Sequence, residues 1–345
     1  MMSSMTEPAP ASNKPASALP ILTIVIPTYN RPNELKRLVT ALLLQRDPRW
    51  RLLVIDNCSD TPVASILPPE VEVIRNRTNI GIYGNVIRSL ERAETEWVWI
   101  VGDDDIPLRD AIAQALAAIV RYPDAGVLNF AWDGRTGDRK EPRVFTSVDD
   151  YLANCDDFSA ALWISTNIYA RRHYMPLMSF AYTYAAASPH YALTLMMLAK
   201  AVPYIALPNI VVTYTMAEEG SWSFADTNVF MTIAFDLPIS GKQRRMLSRM
   251  MRRDYMKLRP DLKYCISVMR WPEVRSDTMY LFMRRRLALA TAEGSPWLFV
   301  VAIFCGCALA ITPIPTLLRA IYRLKHRGSD MPVPDKKKIS RLYRM

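Results

Sequence analysis

Trp97-Val98-Trp99-Ile100-Val101-Gly102-Asp103-Asp104-Asp105-Ile106-Pro107 is the stretch from which the fold is read. Five apolar residues run into a glycine and three consecutive aspartates. A short run rich in Val, Ile and Trp predicts a buried strand. Its end then crowds three carboxylates together, and like charges raise each other's pKa unless something neutralises them. A hard divalent cation with oxygen ligands does so. In open α/β sheets, ligands sit at the carboxyl ends of strands. The expectation is a Mg2+ or Mn2+ site at Asp103, Asp104 and Asp105, facing an anionic phosphate ligand. The plain alternative is a solvated acidic turn.

The remainder of the chain supports a sheet around that strand. Ile21-Leu22-Thr23-Ile24-Val25-Ile26 predicts a first strand, ending in Pro27-Thr28-Tyr29-Asn30-Arg31-Pro32. The flanking prolines favour an extended loop there. Leu35, Leu38, Val39 and Leu42 share one helical face, with Asn33 as the N-cap. Leu52 to Ile55 predicts a second strand, ending at Asp56-Asn57-Cys58-Ser59-Asp60, and Val71 to Ile74 a third. Asn79-Ile80-Gly81-Ile82-Tyr83-Gly84 reads as a glycine loop opening a helix from Val86 to Ala93. Strands alternating with helices predict a mostly parallel sheet with right-handed crossovers. The polar ends of three strands then converge on one edge.

Those motifs, Ile26 to Asn30, Val54 to Asp60, Asn79 to Gly81 and Gly102 to Asp105, resemble the nucleotide-binding half of family 2 GT-A glycosyltransferases. The resemblance covers roughly residues 20–125 well and the next hundred loosely. It implies an α/β, Rossmann-like GT-A domain over residues 20–235, after a leader at 1–19 that reads as disordered. It implies a nucleotide-diphosphate sugar as donor substrate, UDP-linked, with Mg2+ or Mn2+ as cofactor at a D-x-D motif. Pro27, Thr28, Tyr29, Arg31, Asp56, Asn79, Gly81, Asp103 and Asp104 would border the nucleotide. Arg31 would be a bidentate phosphate partner and Asp56 would face the base. Asn57 stands where the family commonly has a second aspartate. Arg88 is either turned toward the donor or part of a solvated helix face.

The acceptor side is implied at Ser165, Thr166 and Asn167, in a strand expected over residues 162–172. Trp222 is either a sugar platform or a ring closing the core. Ser188 is expected to cap an amphipathic helix that begins at Pro189. The family places an acidic general base there, whereas this chain has His190. An inverting transfer needs a group to take the acceptor hydroxyl proton, and a histidine near its free pKa can do so. His190 and Asp105 are therefore the catalytic candidates, with Asp156 and Asp157 as fallback bases. The function implied is metal-assisted inverting sugar transfer to a lipid-linked or polysaccharide acceptor in cell-surface glycan synthesis. The alternative is a catalytically degenerate sugar-nucleotide-binding protein or scaffold.

Charge is unevenly placed along the 345 residues. The net value is −6 over residues 1–240, +10 over 241–290 and +7 over 319–345. Residues 236–293 read as a basic amphipathic helical region. Residues 294–318 carry no charge, which is long enough to span a bilayer. Basic flanks on both sides, with Lys336, Lys337, Lys338 and Arg341 in the tail at 319–345, oppose a single span by the positive-inside rule. A segment entering one leaflet is favoured over a span or a buried helix. An anionic membrane surface, not nucleic acid, is the expected partner of this end. The expected location is the cytoplasmic face of a bacterial inner membrane. Five cysteines without a C-x-x-C pair argue against a disulfide or zinc framework, and oligomeric state is not legible.

Overall fold

A computed structural model describes residues 20–132, 139–155, 158–185, 188–213, 233–254, 256–268, 272–311 and 313–325. The expected leader, Asp156, Asp157, Trp222 and the tail beyond residue 325 lie outside the described residues.

The apolar runs become the strands of one eight-stranded sheet. They are β1 (Leu22–Thr28), β2 (Trp50–Asp56), β3 (Glu72–Arg75), β4 (Trp97–Ile100), β6 (Val127–Ala131), β7 (Arg143–Phe145), β8 (Asn167–Ala170) and β9 (Tyr204–Ile210). Their order is β3-β2-β1-β4-β8-β6-β9-β7. β1 pairs in parallel with both β2 and β4, and β2 with β3. β8 runs antiparallel between β4 and β6, so β6 and β9 point the same way as β4. The carboxyl ends of β1, β2, β3, β4, β6 and β9 therefore share one rim with the start of β8. A small antiparallel ribbon of β5 (Ile106–Pro107) and β10 (Val212–Thr213) pins the chain just after the aspartates.

Both faces of the sheet are covered, as a parallel sheet requires. On one side, α1 (Pro32–Leu43) and α3 (Ala111–Arg121) bury Leu35, Leu38, Leu42, Ile112 and Leu116 against Trp97, Trp99 and Val54. On the other, α2 (Gly81–Arg92), α4 (Val148–Asn154) and α8 (Pro189–Ala199) pack Leu90, Tyr151, Leu193 and Met197 against Val25, Val98 and Tyr169. Three local expectations are corrected. α1 begins at Pro32 with Arg31 as its cap, because proline at the first helical position forfeits no hydrogen bond. The segment expected as one strand over 162–172 is split. It holds the end of α5 (Phe158–Leu162), a 3-10 turn at Ile164–Thr166, β8, and α6 (Arg171–Tyr174). α8 is buried all round, not amphipathic, and Ser188 (φ 66) makes no side-chain cap.

Between α6 and α8, α7 (Met178–Thr183) closes the second face. Beyond the sheet the chain is helical: α9 (Gly241–Asp254), α10 (Leu258–Val268), α11 (Pro272–Glu293), α12 (Pro296–Ala310) and α13 (Pro313–Lys325). The apolar side of α9 does not face outward. Leu247, Met250 and Met251 join the core that holds α4 and α8, and Lys242 pairs with Asp149 at 2.6 Å. α11 and α12 fold back on each other at Gly294 (φ 64) and close so tightly that a Cβ on Gly306 would meet the Met283 sulfur. No single helix among the described residues is long and apolar enough to cross a membrane. Pro296–Ala310 and Pro315–Lys325 together reach that length but are bent by 87°.

Candidate active site

Three strand ends meet, as their polar sequences predict. Thr28, the last residue of β1, donates its hydroxyl to Asp103 Oδ2 at 2.7 Å. Arg31, at the cap of α1, places Nη1 2.8 Å from Asp103 Oδ1 and 2.8 Å from Asp104 Oδ2. Its Nη2 is buried without a hydrogen-bond partner, so a donor on a cation is left for an anion to take up. Arg37 adds a bond to the Asp104 carbonyl at 3.0 Å. Pro27 lies within β1, and Tyr29 follows it as a large ring left 42% exposed at the rim.

The three aspartates divide. Asp103 and Asp104 share the Arg31 cation, whereas Asp105 turns toward Trp163 and Ser165. Trp163 Nε1 donates to Asp105 Oδ2 at 2.9 Å, and the Ser165 hydroxyl donates to the same oxygen. Ser165 Oγ in turn accepts the Gly102 N–H at 2.8 Å. Burial raises Asp103 to about 6, against the pull of Arg31 and Thr28. Burial raises Asp105 further, to about 7, because its partners Ser165 and Trp163 carry no charge. Gly102 explains how the carboxylates fit. A Cβ there would stand 3.0 Å from Asp105 Oδ2 and 3.2 Å from Asp104 Oδ1. Among the described residues no group of three or more His, Cys, Asp or Glu forms a metal cage. The expectation that all three aspartates converge on one ion is corrected to this extent. Hard oxygens of Asp104 and Asp105 over Gly102 still suit Mg2+ or Mn2+, which take one or two carboxylates and fill the remaining positions from substrate and water.

Asp56 lies beneath the rim. It is fully buried, and its oxygens accept from the Ser59 N–H at 2.8 Å, the Val63 N–H at 3.4 Å and Arg75. It shapes the loop after β2, while the expected direct contact with a base would need an exposed edge. Asn57 is tied into a ladder of amides. Its Nδ2 donates to Asn79 Oδ1 at 2.8 Å and its Oδ1 accepts from Asn76 at 3.0 Å and from the Ile80 N–H at 3.0 Å. Asn76 continues to Asn85 at 2.9 Å. An aspartate at 57 would set a carboxylate oxygen against Asn79 Oδ1, so the amide belongs to this ladder. Gly81, with φ 74, opens α2 beside it and accepts from Asn57 Nδ2 at 3.4 Å. Arg88 lies on α2 next to Glu91, 4.0 Å away, which favours the surface ion pair over a donor contact.

Thr166 and Asn167 are buried, and Asn167 Nδ2 donates to the Trp163 carbonyl at 2.8 Å. They hold the turn that presents Trp163 and Ser165. His190 is 5% exposed. Its Nε2 lies 2.9 Å from the Leu162 carbonyl, which can only accept, so Nε2 carries the proton and Nδ1 keeps the lone pair. Nδ1 is buried without a partner. Burial lowers the ring to about 4 despite that bond, so His190 is neutral at physiological pH. Sequence patterns missed Trp163, whose role depends on the turn between α5 and β8, and the Asn76–Asn85 link. The run of four asparagines between 57 and 85 was the available signal for the ladder.

Residues 23–184 match the family model described as Glycosyl transferase family 2. The Galactofuranosyltransferase GlfT1 of Mycobacterium tuberculosis is 32% identical over 113 residues, 30% of this chain and 37% of that protein. A Bacillus subtilis protein named for teichuronic acid biosynthesis, TuaG, is 25% identical over 39% of this chain and 58% of its own length. The chain thus spans less than two-thirds of these curated relatives. Among solved structures, S. aureus TarS 1-349 in complex with UDP-GlcNAc superposes with a TM-score of 0.58 at 17% identity, covering 88% of this chain and 91% of that one. At that identity the likeness is one of fold.

Proposed function

We propose that this chain, whose residues 23–184 match the Glycosyl transferase family 2 model and whose fold resembles that of TarS, is a glycosyltransferase on a GT-A fold that transfers a sugar from a nucleotide-diphosphate donor to a glycan or lipid-linked acceptor. The observation that carries the proposal is the rim itself. Arg31 bridges two aspartates with one nitrogen and keeps a second, buried nitrogen unpartnered, the arrangement that a diphosphate completes. UDP is the proposed nucleotide, since TarS is solved with UDP-GlcNAc. Tyr29 offers its exposed ring to the nucleoside, and the Asn57–Asn79 corner, shaped by Asp56 from below, faces the base. Gly81 lets the chain turn there with a positive φ.

Asp104 and Asp105 are the proposed cation residues, with Asp103 holding Arg31 in place through Thr28. A divalent cation bound there offsets the negative charge on the departing diphosphate. The acceptor hydroxyl forms the new bond at the anomeric carbon, the bond to the diphosphate oxygen breaks, and the configuration inverts. His190 is the proposed base, its tautomer set by Leu162. A nucleotide-sugar panel, with bacterial membranes as the acceptor source, tests the reading. Sugar incorporation from a UDP-linked donor is expected; UDP binding with no transfer from any donor would favour the binding-protein alternative.

The acceptor reading includes a membrane surface. On α12, Trp297, Val300, Ile303 and Phe304 are exposed, and on α13 Leu317, Ile321 and Leu324 are exposed beside Arg319, Arg323 and Lys325. This is an apolar face flanked by cations, which suits anionic headgroups on the cytoplasmic leaflet. Flotation with anionic vesicles should carry the protein upward, and Phe304→Asp, at a site 72% exposed, should leave it at the bottom. Equal flotation of that variant would sink the membrane proposal without touching the sugar transfer.

A further inference from the structure

The turn between α5 and β8 touches both ends of the proposed reaction. At its start the Leu162 carbonyl lies 2.9 Å from His190 Nε2. Further along the same turn, Trp163 Nε1 donates to Asp105 Oδ2 at 2.9 Å, and the Ser165 hydroxyl donates to that oxygen as well. The proposed base and a proposed cation carboxylate are therefore held by one short stretch of chain. A directed line of amides holds that stretch. Asn129 of β6 stands opposite Asn167, the first residue of β8, in the antiparallel ladder, and both are buried. The half-buried Arg139 donates from Nη1 to Asn129 Oδ1 at 2.9 Å. A guanidinium only donates, so the amide oxygen faces Arg139 and Nδ2 points the other way. Asn129 Nδ2 donates to Asn167 Oδ1 at 2.9 Å. Asn167 Nδ2 then donates to the Trp163 carbonyl at 2.8 Å, an atom that only accepts. Each link fixes the orientation of the next, from a cation to the backbone of the turn. Thr166 adds its hydroxyl to the same carbonyl at 2.8 Å. From the β4 side, Trp99 Nε1 holds the Ser165 carbonyl at 2.8 Å.

We propose that Asn167 is a positioning residue that sets Asp105 and His190 together through this one turn. The proposal rests on the sugar-transfer reading and deepens it. Asn167 was expected at the acceptor, but it is buried and presents no surface to a sugar. Its amide acts instead on the groups that act on the substrates. Without the bond to the Trp163 carbonyl, the indole that anchors Asp105 and the Leu162 carbonyl that fixes the His190 tautomer shift as one piece. Partners that orient a ligating carboxylate tune its affinity for the metal, and a histidine tautomer is set by the hydrogen bond at its other nitrogen. One amide thus governs two properties that no direct contact links to it.

The test reads both ends in the full chain. The sequence has three histidines, so 15N-histidine NMR, assigned by the signals missing from His190→Ala, reports the tautomer of His190. Calorimetry with and without Mn2+ reports how far the cation raises UDP affinity. The wild type should show one His190 tautomer, protonated at Nε2. Asn167→Leu, which keeps the volume and removes the amide, should show a mixture of the two tautomers. In the same variant the gain in UDP affinity from Mn2+ should fall about tenfold, while UDP affinity without the cation stays within about twofold. Arg139→Ala, which frees the Asn129 amide without emptying the core, should move both readouts the same way by less, and it decides the matter if Asn167→Leu does not fold. One readout moving alone, neither moving, or UDP affinity falling as far without Mn2+ as with it would overturn the positioning role while UDP binding upholds the donor site. A wild-type protein that binds no UDP would instead overturn the donor reading.

Discussion

Arg31 reaches across from the first helix to Asp103 with Nη1 2.8 Å from Oδ1, and the same nitrogen lies 2.8 Å from Asp104. One cation thus stands between two carboxylates, and its other terminal nitrogen is buried and unpartnered. Hydrogen bonds to charged groups contribute about 1.5–3 kcal/mol each. Arg31→Ala should therefore weaken UDP binding by about 10- to 100-fold. Isothermal titration of UDP measures this, and an unchanged affinity would remove Arg31 from the phosphate site.

Asp105 sets a pH dependence. Its carboxyl is raised from 3.8 to about 7, chiefly by burial, so the folded state holds the proton more tightly than the unfolded chain. The resulting stabilisation is complete below about pH 4 and is lost as pH rises to about 7. Thermal melts without cation should show a declining Tm across that window. Asp105→Asn, which keeps an oxygen for Ser165 and Trp163, should flatten the decline. UDP with Mn2+ should raise Tm more at pH 8 than at pH 5, where the proton competes with the metal. A flat wild-type profile would contradict the buried, uncompensated carboxyl.

Asn57 should matter through its amide. Asn57→Asp removes the Asn57 Nδ2 donor to Asn79 Oδ1, and Asn57→Ala also removes the acceptor for Asn76 and the Ile80 N–H, a loss of about 1–3 kcal/mol. Urea unfolding should show an earlier midpoint with the same slope. If Asn57→Asp unfolds like the wild type, the ladder does not require the amide.

His190 is neutral over the working range because burial takes it to about 4. If it is the base, the acid limb that it contributes to the transfer rate should lie near pH 4, well below an ordinary histidine limb. His190→Ala should lower transfer while leaving UDP affinity within about twofold, since the residue touches no phosphate group. Full transfer activity in that variant would move the base elsewhere.

Much of the sheet around β1 was legible because each of its signals is local. The Trp97 run is a strand that ends on carboxylates, and parallel pairing of β1 with β2 and β4 brings Thr28, Asn57 and Asp103 to one rim. What lay hidden depended on distant partners. The split of the aspartates is set by Ser165, 60 residues on, and no spacing rule reports such a contact. Asp56 reads as a rim residue until Arg75 and two backbone amides are seen to enclose it. α9 has the amphipathic pattern of a surface-binding helix, but its apolar side is filled by the core; hydrophobic periodicity identifies a face, not what covers it. β8 runs antiparallel to its neighbours, a direction that sequence does not carry, because one buried strand looks much like another.

The central claim is that this rim holds a nucleotide-diphosphate sugar and releases the nucleotide. The direct measurement is UDP released from UDP-sugars with Mn2+, comparing wild type with Asp104→Asn. Metal-dependent release by the wild type, reduced about 100-fold or more in the variant as expected for loss of a transition-state charge contact, is the predicted result. Equal release by both proteins, or neither UDP binding nor release across the panel, would contradict it.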